Sequence, residues 1–475
     1  MAANFCSPSS EGSGELLFAV GGLETAATSN WIVMKPQIAK GTRDHLPAGM
    51  ALRESVTETI RGVFERYGYE PLETPALERI DVLTGKYGEE ADKLIFRILK
   101  RGEAGRRGEV DLGLRYDLTL PLARVVAMNR DLPMPFKRYQ IQPCWRAEKP
   151  QRGRFREFIQ CDVDCVGSAS VLADAEMVAI TCDCLRAVGF ERFRVMINHR
   201  KILAGLEEYA GVPAELGPSA MQAIDKLEKV GLKGVRKELA DRGVPKDAAD
   251  KLLAVLEITG EPAQVLDEVE GLLKNSETGL EGVAESRRLL NYIELSGVDR
   301  SNYEFNLWMV RGLDYYTGPI YETYVDEPKV GSISGGGRYD GLVGLLAGRD
   351  VPATGTTIGL ERIIAVLEIT GRAVAAPSRV SVLVTVFEEG TLSESLAVAR
   401  ELRAAGITCD VFMNPDVKLG KQLAYAEARG IPHVVIVGPD EVTAGAVQLK
   451  DMAKREQKEV PRTKLAEILL TEHGC

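Results

Sequence analysis

Apolar residues recur at helical spacing near the start of the folded region. Met50, Val56, Ile60, Val63 and Phe64 share one face, which predicts a helix over residues 48 to 67. Gly68 stops it. Tyr69 to Pro75 follows as an extended segment, because its two prolines exclude helix and fit only an edge or interface strand. Strand-like runs recur near 94–99, 110–115, 137–143 and 156–166, and a helical pattern covers about 171–188. Between 156 and 166 the alternation is clean. Phe158, Gln160, Asp162 and Asp164 fall on one face, and Ile159, Cys161, Val163 and Cys165 on the other. One face is apolar core and the other a row of hydrogen-bonding groups.

From 200 to 300 Leu, Glu, Lys and Ala at helical spacing replace the strands, which predicts a helical insertion. Strand and glycine signals return at 303–359, so a sheet split in sequence is closed by residues on both sides of the insertion. A further unit follows Ala375-Ala376-Pro377-Ser378: strand 380–386, helix 391–405, strand 407–412, helix 419–429, strand 434–437, then a hairpin and a helix. This alternation predicts a small α/β domain on a parallel or mixed sheet. The fold class is α+β, with a largely antiparallel sheet.

Composition narrows the function classes. The 475 residues carry 59 basic and 69 acidic side chains, a net charge of −10, which argues against coating nucleic acid by bulk charge but leaves room for a local basic groove. No apolar run reaches a membrane span, so no membrane role is expected. The eight cysteines contain no CxxC pair and read as reduced thiols of a cytoplasmic protein. A metal at Cys161, Cys165, Cys182 and Cys184 is not expected. The four histidines, His45, His199, His433 and His473, are scattered and read as structural. Residues 1–33 hold Glu11, Glu15 and Glu24 but no Lys or Arg, unlike a mitochondrial or secretory leader. They read as a disordered extension, or an over-long start before Met34.

The chemistry concentrates at 138–166. Two extended arms are joined by a basic loop, Arg146-Ala147-Glu148-Lys149-Pro150-Gln151-Arg152-Gly153-Arg154. A solvated sheet face with surface ion pairs would look similar. Arginine forks beside a strand pair are, however, what a polyphosphate requires. Arg146-x-Glu148, a loop, then Arg154-x-x-x-Phe158 resembles motif 2 of class II aminoacyl-tRNA synthetases. Gly355 to Ile363, with Arg362, resembles motif 3, and the first helix with the Pro75 segment resembles motif 1, a dimer interface. Arg311-Gly312-Leu313-Asp314-Tyr315-Tyr316-Thr317-Gly318 and Gly335-Gly336-Gly337-Arg338-Tyr339-Asp340 are similar to the two signatures of histidyl-tRNA synthetases, and Arg115-Tyr116-Asp117-Leu118-Thr119 also matches. Trp145 departs from the pattern, standing where a smaller aromatic is commoner.

The resemblance spans roughly 37 to 470. It implies an extension at 1–34, a class II catalytic domain at 35–199 and 301–372 interrupted by the insertion at 200–300, and an anticodon-binding domain at 378–475. It implies ATP and Mg²⁺, L-histidine, tRNA(His) and a homodimer. Asp117, Thr119 and Gln160 would hold the histidine ammonium. Asp164 and Tyr316 would bond the imidazole nitrogens, with Tyr315, Gly336 and Tyr339 completing that pocket. Arg146 would grip the α-phosphate, and Arg311 the carboxylate and α-phosphate together. Phe158 and Arg362 would sandwich adenine, and Glu148 and Arg154 would complete the ATP site. Lys149, Gln151 and Arg152 would meet the acceptor end of tRNA. The regulatory paralogue of histidine biosynthesis shares this fold, but generally lacks the C-terminal domain and degrades the ATP-site arginines. Arg146, Arg311, Arg362 and residues 378–475 are all present here.

Overall fold

The computed structural model describes residues 35–84, 93–151, 153–310, 315–373 and 378–473. The expectations for residues 1–34, Arg152 and Arg311 lie outside the described residues. The first helix spans Pro47–Arg66, with proline in its first turn, where a missing N–H costs nothing. Ala51, Val56, Ile60, Val63 and Phe64 form its buried stripe. Gly68, at φ +77°, turns the chain away.

The main sheet is built from β1 (Glu70–Pro71), β5 (Phe136–Trp145), β6 (Glu157–Val166), β7 (Phe193–His199), β8 (Tyr303–Phe305), β9 (Pro319–Val325), β10 (Ser334–Arg338) and β11 (Ala353–Gly359). The order is β1-β5-β6-β11-β10-β9-β7-β8, antiparallel except where β1 and β8 pair in parallel at the two edges. Pro71 thus sits on an edge strand, where its missing donor is harmless. A small second sheet, β2 (Leu77–Arg79), β3 (Phe96–Leu99) and β4 (Val110–Leu114), lies beside it in the order β2-β4-β3. Arg115, 1% exposed, connects the two. Its guanidinium donates to Thr74 O at 2.6 Å, Pro75 O at 3.2 Å and Pro143 O at 3.0 Å. Carbonyl dipoles thus solvate a buried cation and pin the proline segment.

Residues 200–295 are helical. Strands drawn from before and after this stretch share the main sheet, because β9, β10 and β11 insert between β6 and β7. The helix Arg200–Ala210 meets the helix Glu277–Leu295 at Gly205 and Gly279, where a Cβ on Gly205 would lie 2.7 Å from the facing Cα. His199 is buried, accepts from Lys201 N at 3.2 Å through Nδ1, and sits 2.8 Å from Glu285 through Nε2. It is a joint between sheet and insertion, in line with its structural reading.

The C-terminal unit is a five-stranded mixed sheet of β12 (Val382–Val384), β13 (Cys409–Val411), β14 (His433–Ile436), β15 (Ala446–Asp451) and β16 (Glu456–Pro461), ordered β13-β12-β14-β15-β16. The first three strands are parallel and the last two antiparallel. Period-two alternation separates two cores. Val382, Val384 and Val435 pack under the helices Leu392–Ala404 and Leu465–His473, whereas Leu383, Val434 and Ile436 pack under Leu419–Ala428. Both cores are separate from the one beneath the main sheet. No helix among the described residues is long and apolar enough to cross a membrane.

Candidate active site

A cleft of about 720 Å³ opens over the centre of the main sheet. Its floor is the polar face of β6, paired with β5 on one side and β11 on the other. Asp164 lies opposite Arg138 and forms a 2.8 Å ion pair with it, and the Tyr339 hydroxyl donates to the other carboxylate oxygen. Arg138 is fully buried. Burial raises the Asp164 carboxyl from its ordinary value, and Arg138 and Tyr339 oppose that rise. Asp117 is also buried, with its carboxyl pushed up by burial and held down by the backbone N–H of Leu120 and by Arg146. Its Oδ1 accepts from Leu120 N at 3.2 Å, at the start of the helix Thr119–Met128.

The second wall is β10, whose Gly335 and Gly336 line the cleft. A Cβ on Gly336 would come within 2.0 Å of Gly355 O, so any larger residue forces β10 and β11 apart. Gly355 is similarly constrained, because its Cβ would overlap the Asp164 carboxylate. Tyr315, Tyr316 and Tyr339 form an aromatic cluster at this end, with ring centroids 4.6 and 6.1 Å from Tyr315. Carboxylates and phenols thus bound this end of the cleft, a lining suited to a small cationic or hydrogen-bonding ring.

The opposite end is basic. Arg146 donates through Nε to Tyr116 O at 3.0 Å, and its guanidinium lies 5.1 Å from the centroid of Phe158. The loop between β5 and β6 closes through paired hydrogen bonds between Gln151 and Arg154, with Gly153 at φ +70° in the turn. Arg154 pairs with Glu148 at 2.8 Å. Across the cleft, Arg362 opens the helix Leu360–Ile369 and donates to Ser332 O. Its neighbour Glu361 is buried between Arg53, at 2.6 Å, and Arg43, which anchors that helix to the first one. A strip with carboxylates at one end and arginines at the other can seat an amino acid against a nucleotide phosphate.

A family model described as histidyl-tRNA synthetase matches residues 41–363, and one described as an anticodon binding domain matches 380–472. The chain belongs to the histidyl-tRNA synthetase family. The histidine–tRNA ligase of Gloeobacter violaceus is 43% identical, covering 90% of this chain and 97% of its own. That of Aeropyrum pernix is 42% identical, with 90% and 96% covered. The crystal structure of histidyl-tRNA synthetase from Nostoc sp. PCC 7120 superposes with a TM-score of 0.80 at 33% identity, over 92% of this chain and all of that one. A Bacillus halodurans structure described as an ATP phosphoribosyltransferase regulatory subunit/histidyl-tRNA synthetase has a TM-score of 0.70 at 24% identity, which shows the fold alone.

For a member of the histidyl-tRNA synthetase family the cleft gathers a consistent set of side chains. Asp117, Thr119, Gln160, Asp164, Tyr315, Tyr316, Gly336 and Tyr339 line it, as do Arg146, Glu148, Arg154, Phe158 and Arg362. Lys149 and Gln151 are exposed on the loop rim rather than among the lining residues. Two details add to the sequence expectation. Arg146 lies over the Phe158 ring, and Arg362 lines the same cleft. Both Asp164 oxygens already meet protein groups, so any imidazole bond shares a carboxylate that Arg138 and Tyr339 hold in place.

Sequence reasoning also missed several lining or supporting groups. Glu322 on β9 and Asp225 in the helical insertion line the cleft without any local signal. Arg138 did have one. Arg138, Gln140 and Gln142 alternate along β5 as the β6 polar residues do, and all three enter a shared hydrogen-bond network.

Proposed function

We propose that the cleft activates L-histidine with ATP and passes it to the 3′ end of tRNA(His). The observation that carries this reading is one continuous cleft in which the buried carboxylates of β6 and the Gly335-Gly336 stretch of β10 line one end while Arg146 and Arg362 stand at the other. The histidine carboxylate attacks the α-phosphorus in line, an O–P bond forms, and pyrophosphate leaves. Arg146 neutralises the α-phosphate, and Arg311 spans carboxylate and α-phosphate. Both reactants are anions, so positioning and charge neutralisation carry the catalysis. Asp117, Thr119 and Gln160 receive the ammonium, and Asp164 and Tyr316 the imidazole. Phe158 and Arg362 bracket adenine. The ribose hydroxyl of the tRNA terminus then attacks the adenylate carbonyl and AMP leaves. Lys149, Gln151 and Arg152 meet the acceptor end, while residues 378–475 bind the anticodon region.

Mg²⁺ belongs to the same reading. Among the described residues no group of three acidic, His or Cys side chains is set to hold a metal. Mg²⁺ typically binds through substrate phosphates, waters and one or two carboxylates, so it would be held chiefly by ATP and screen its phosphates. Cytoplasmic placement is supported by the free thiols, five of the six described being buried.

ATP–pyrophosphate exchange measured with each of the twenty amino acids tests the function. Exchange should depend on L-histidine and Mg²⁺. Equal stimulation by another amino acid, or by none, overturns the reading.

A homodimer held largely by the segment around Pro75 completes the proposal. Leu77, two residues after Pro75, and Met128, on the helix whose Arg124 pairs with Glu78 of β2, are 46% and 71% exposed, large apolar side chains that association would cover. Sedimentation should give a dimer, and joint Leu77→Glu and Met128→Glu substitution should shift it toward monomer. A wild-type chain that is an active monomer at assay concentration excludes this interface.

A further inference from the structure

The carboxylates of the cleft are not equivalent. Asp164 is balanced by Arg138, at 2.8 Å. Asp162, two residues earlier on the same face, is 4% exposed and takes part in no ion pair among the described residues. It faces Thr357 across β11, and the Thr357 hydroxyl bonds its carboxylate. Gln160 Nε2 donates to Asp162 Oδ1 at 3.3 Å and to Thr357 Oγ1 at 3.2 Å. The amide hydrogens of Gln160 are thereby committed to a carboxylate and a hydroxyl, which selects one of its two flip states. Its Oε1 then points the other way. That atom is buried and has no hydrogen-bond partner among the described residues, although Gln160 lines the cleft. A buried acceptor without a partner is unfavourable, and a ligand donor completes it.

Resting on the reading of the cleft as a histidine site, we propose that Asp162 is a positioning residue for the substrate ammonium. It orients Gln160 so that Oε1 accepts from the ammonium, and it supplies the buried negative charge behind that bond. The other titratable and charged groups facing it are Asp164 on its own strand, Arg138 and the Cys144 thiol on β5, Arg115 after β4, and Asp117 before the helix Thr119–Met128. Glu322 on β9 and Arg146 line the same cleft. Burial and then Asp164 push the Asp162 carboxyl up to about 7, against the pull of Arg138 and Thr357. A cation arriving at Gln160 favours its ionised form, so its contribution to histidine affinity grows as pH rises through that value.

The test compares Asp162→Asn with the wild type in histidine-dependent pyrophosphate exchange and, by calorimetry, in binding two analogues. L-Histidinol keeps the ammonium and imidazole; 3-(imidazol-4-yl)propanoate lacks the ammonium. The KM for histidine should rise about 10- to 100-fold, the scale of a hydrogen bond to a charged group. The KM for ATP and kcat should stay essentially unchanged. Histidinol affinity should fall in parallel, and propanoate affinity should not. The ratio of the two KM values should shrink toward one below pH 6, where the wild-type carboxyl is also neutral. Thr357→Val, which removes the hydroxyl between Gln160 and Asp162, should show the same selective loss and serves if Asp162→Asn does not fold. Equal weakening of both analogues, or an unchanged histidine KM, overturns the proposal while leaving the histidine function standing. A wild-type chain without histidine-dependent exchange overturns both.

Discussion

Arg146→Ala should lower kcat for histidine-dependent pyrophosphate exchange by about 10²–10³-fold, the cost of removing one preorganised donor from a developing charge. The geometry is set before ATP arrives. Tyr116 O fixes the Arg146 Nε at 3.0 Å, so the guanidinium is held over Phe158 instead of sampling solvent. Its contribution falls mainly on the transition state, where the α-phosphorus becomes crowded and more negative, so KM for ATP should rise far less than kcat falls. Arg146→Lys should recover little. A point charge cannot reproduce a fork tied to a carbonyl on one side and a phosphate on the other. Loss confined to KM for ATP would show that Arg146 only docks the nucleotide.

Truncation after Pro377 should leave histidine activation nearly intact while strongly reducing aminoacylation of tRNA. Every lining residue of the cleft lies at or before Arg362, whereas residues 382–469 contain their own two cores. Deleting that unit removes no side chain from the core beneath the main sheet. It does remove an ion pair between Arg379 and Glu54 on the first helix, and an exposed pair contributes little. The energy lost should be tRNA contact, much of it with phosphate, so the gap between full and truncated chains should be widest at low salt and narrow as salt is raised. Circular dichroism melting establishes that the truncated chain is folded. If it is folded and charges tRNA as well as the full chain, residues 378–475 do not bind the tRNA.

Fold and site were legible to different depths. Local periodicity marked the helix Pro47–Arg66, the strands β5 and β6, the helical insertion and the order of elements in the C-terminal unit. Each of these encodes its buried face in its own spacing, with Ile60, Val63 and Phe64 on a helix or Cys161, Val163 and Cys165 on a strand. Site residues were legible where they sit in contiguous motifs. Arg146 with Phe158, and Gly336 with Tyr339, reach the same cleft although nearly two hundred positions separate the two groups.

By itself the sequence determined the elements, their buried faces, the split main sheet and the side chains that bring charge to the cleft. Tertiary structure alone decided which of those charges meet. Arg138 neutralises Asp164 because β5 and β6 pair in one register, and a shift of one residue would turn Arg138 to the other face. Among the described residues Gln160 is left with an unpartnered oxygen because Thr357, on a strand nearly two hundred residues later, captures its amide. Glu322 and Asp225 enter the cleft on elements whose own patterns read as ordinary strand and helix end. Strand register and the packing of distant elements depend on the whole core, so a single segment's periodicity carries no record of its partners.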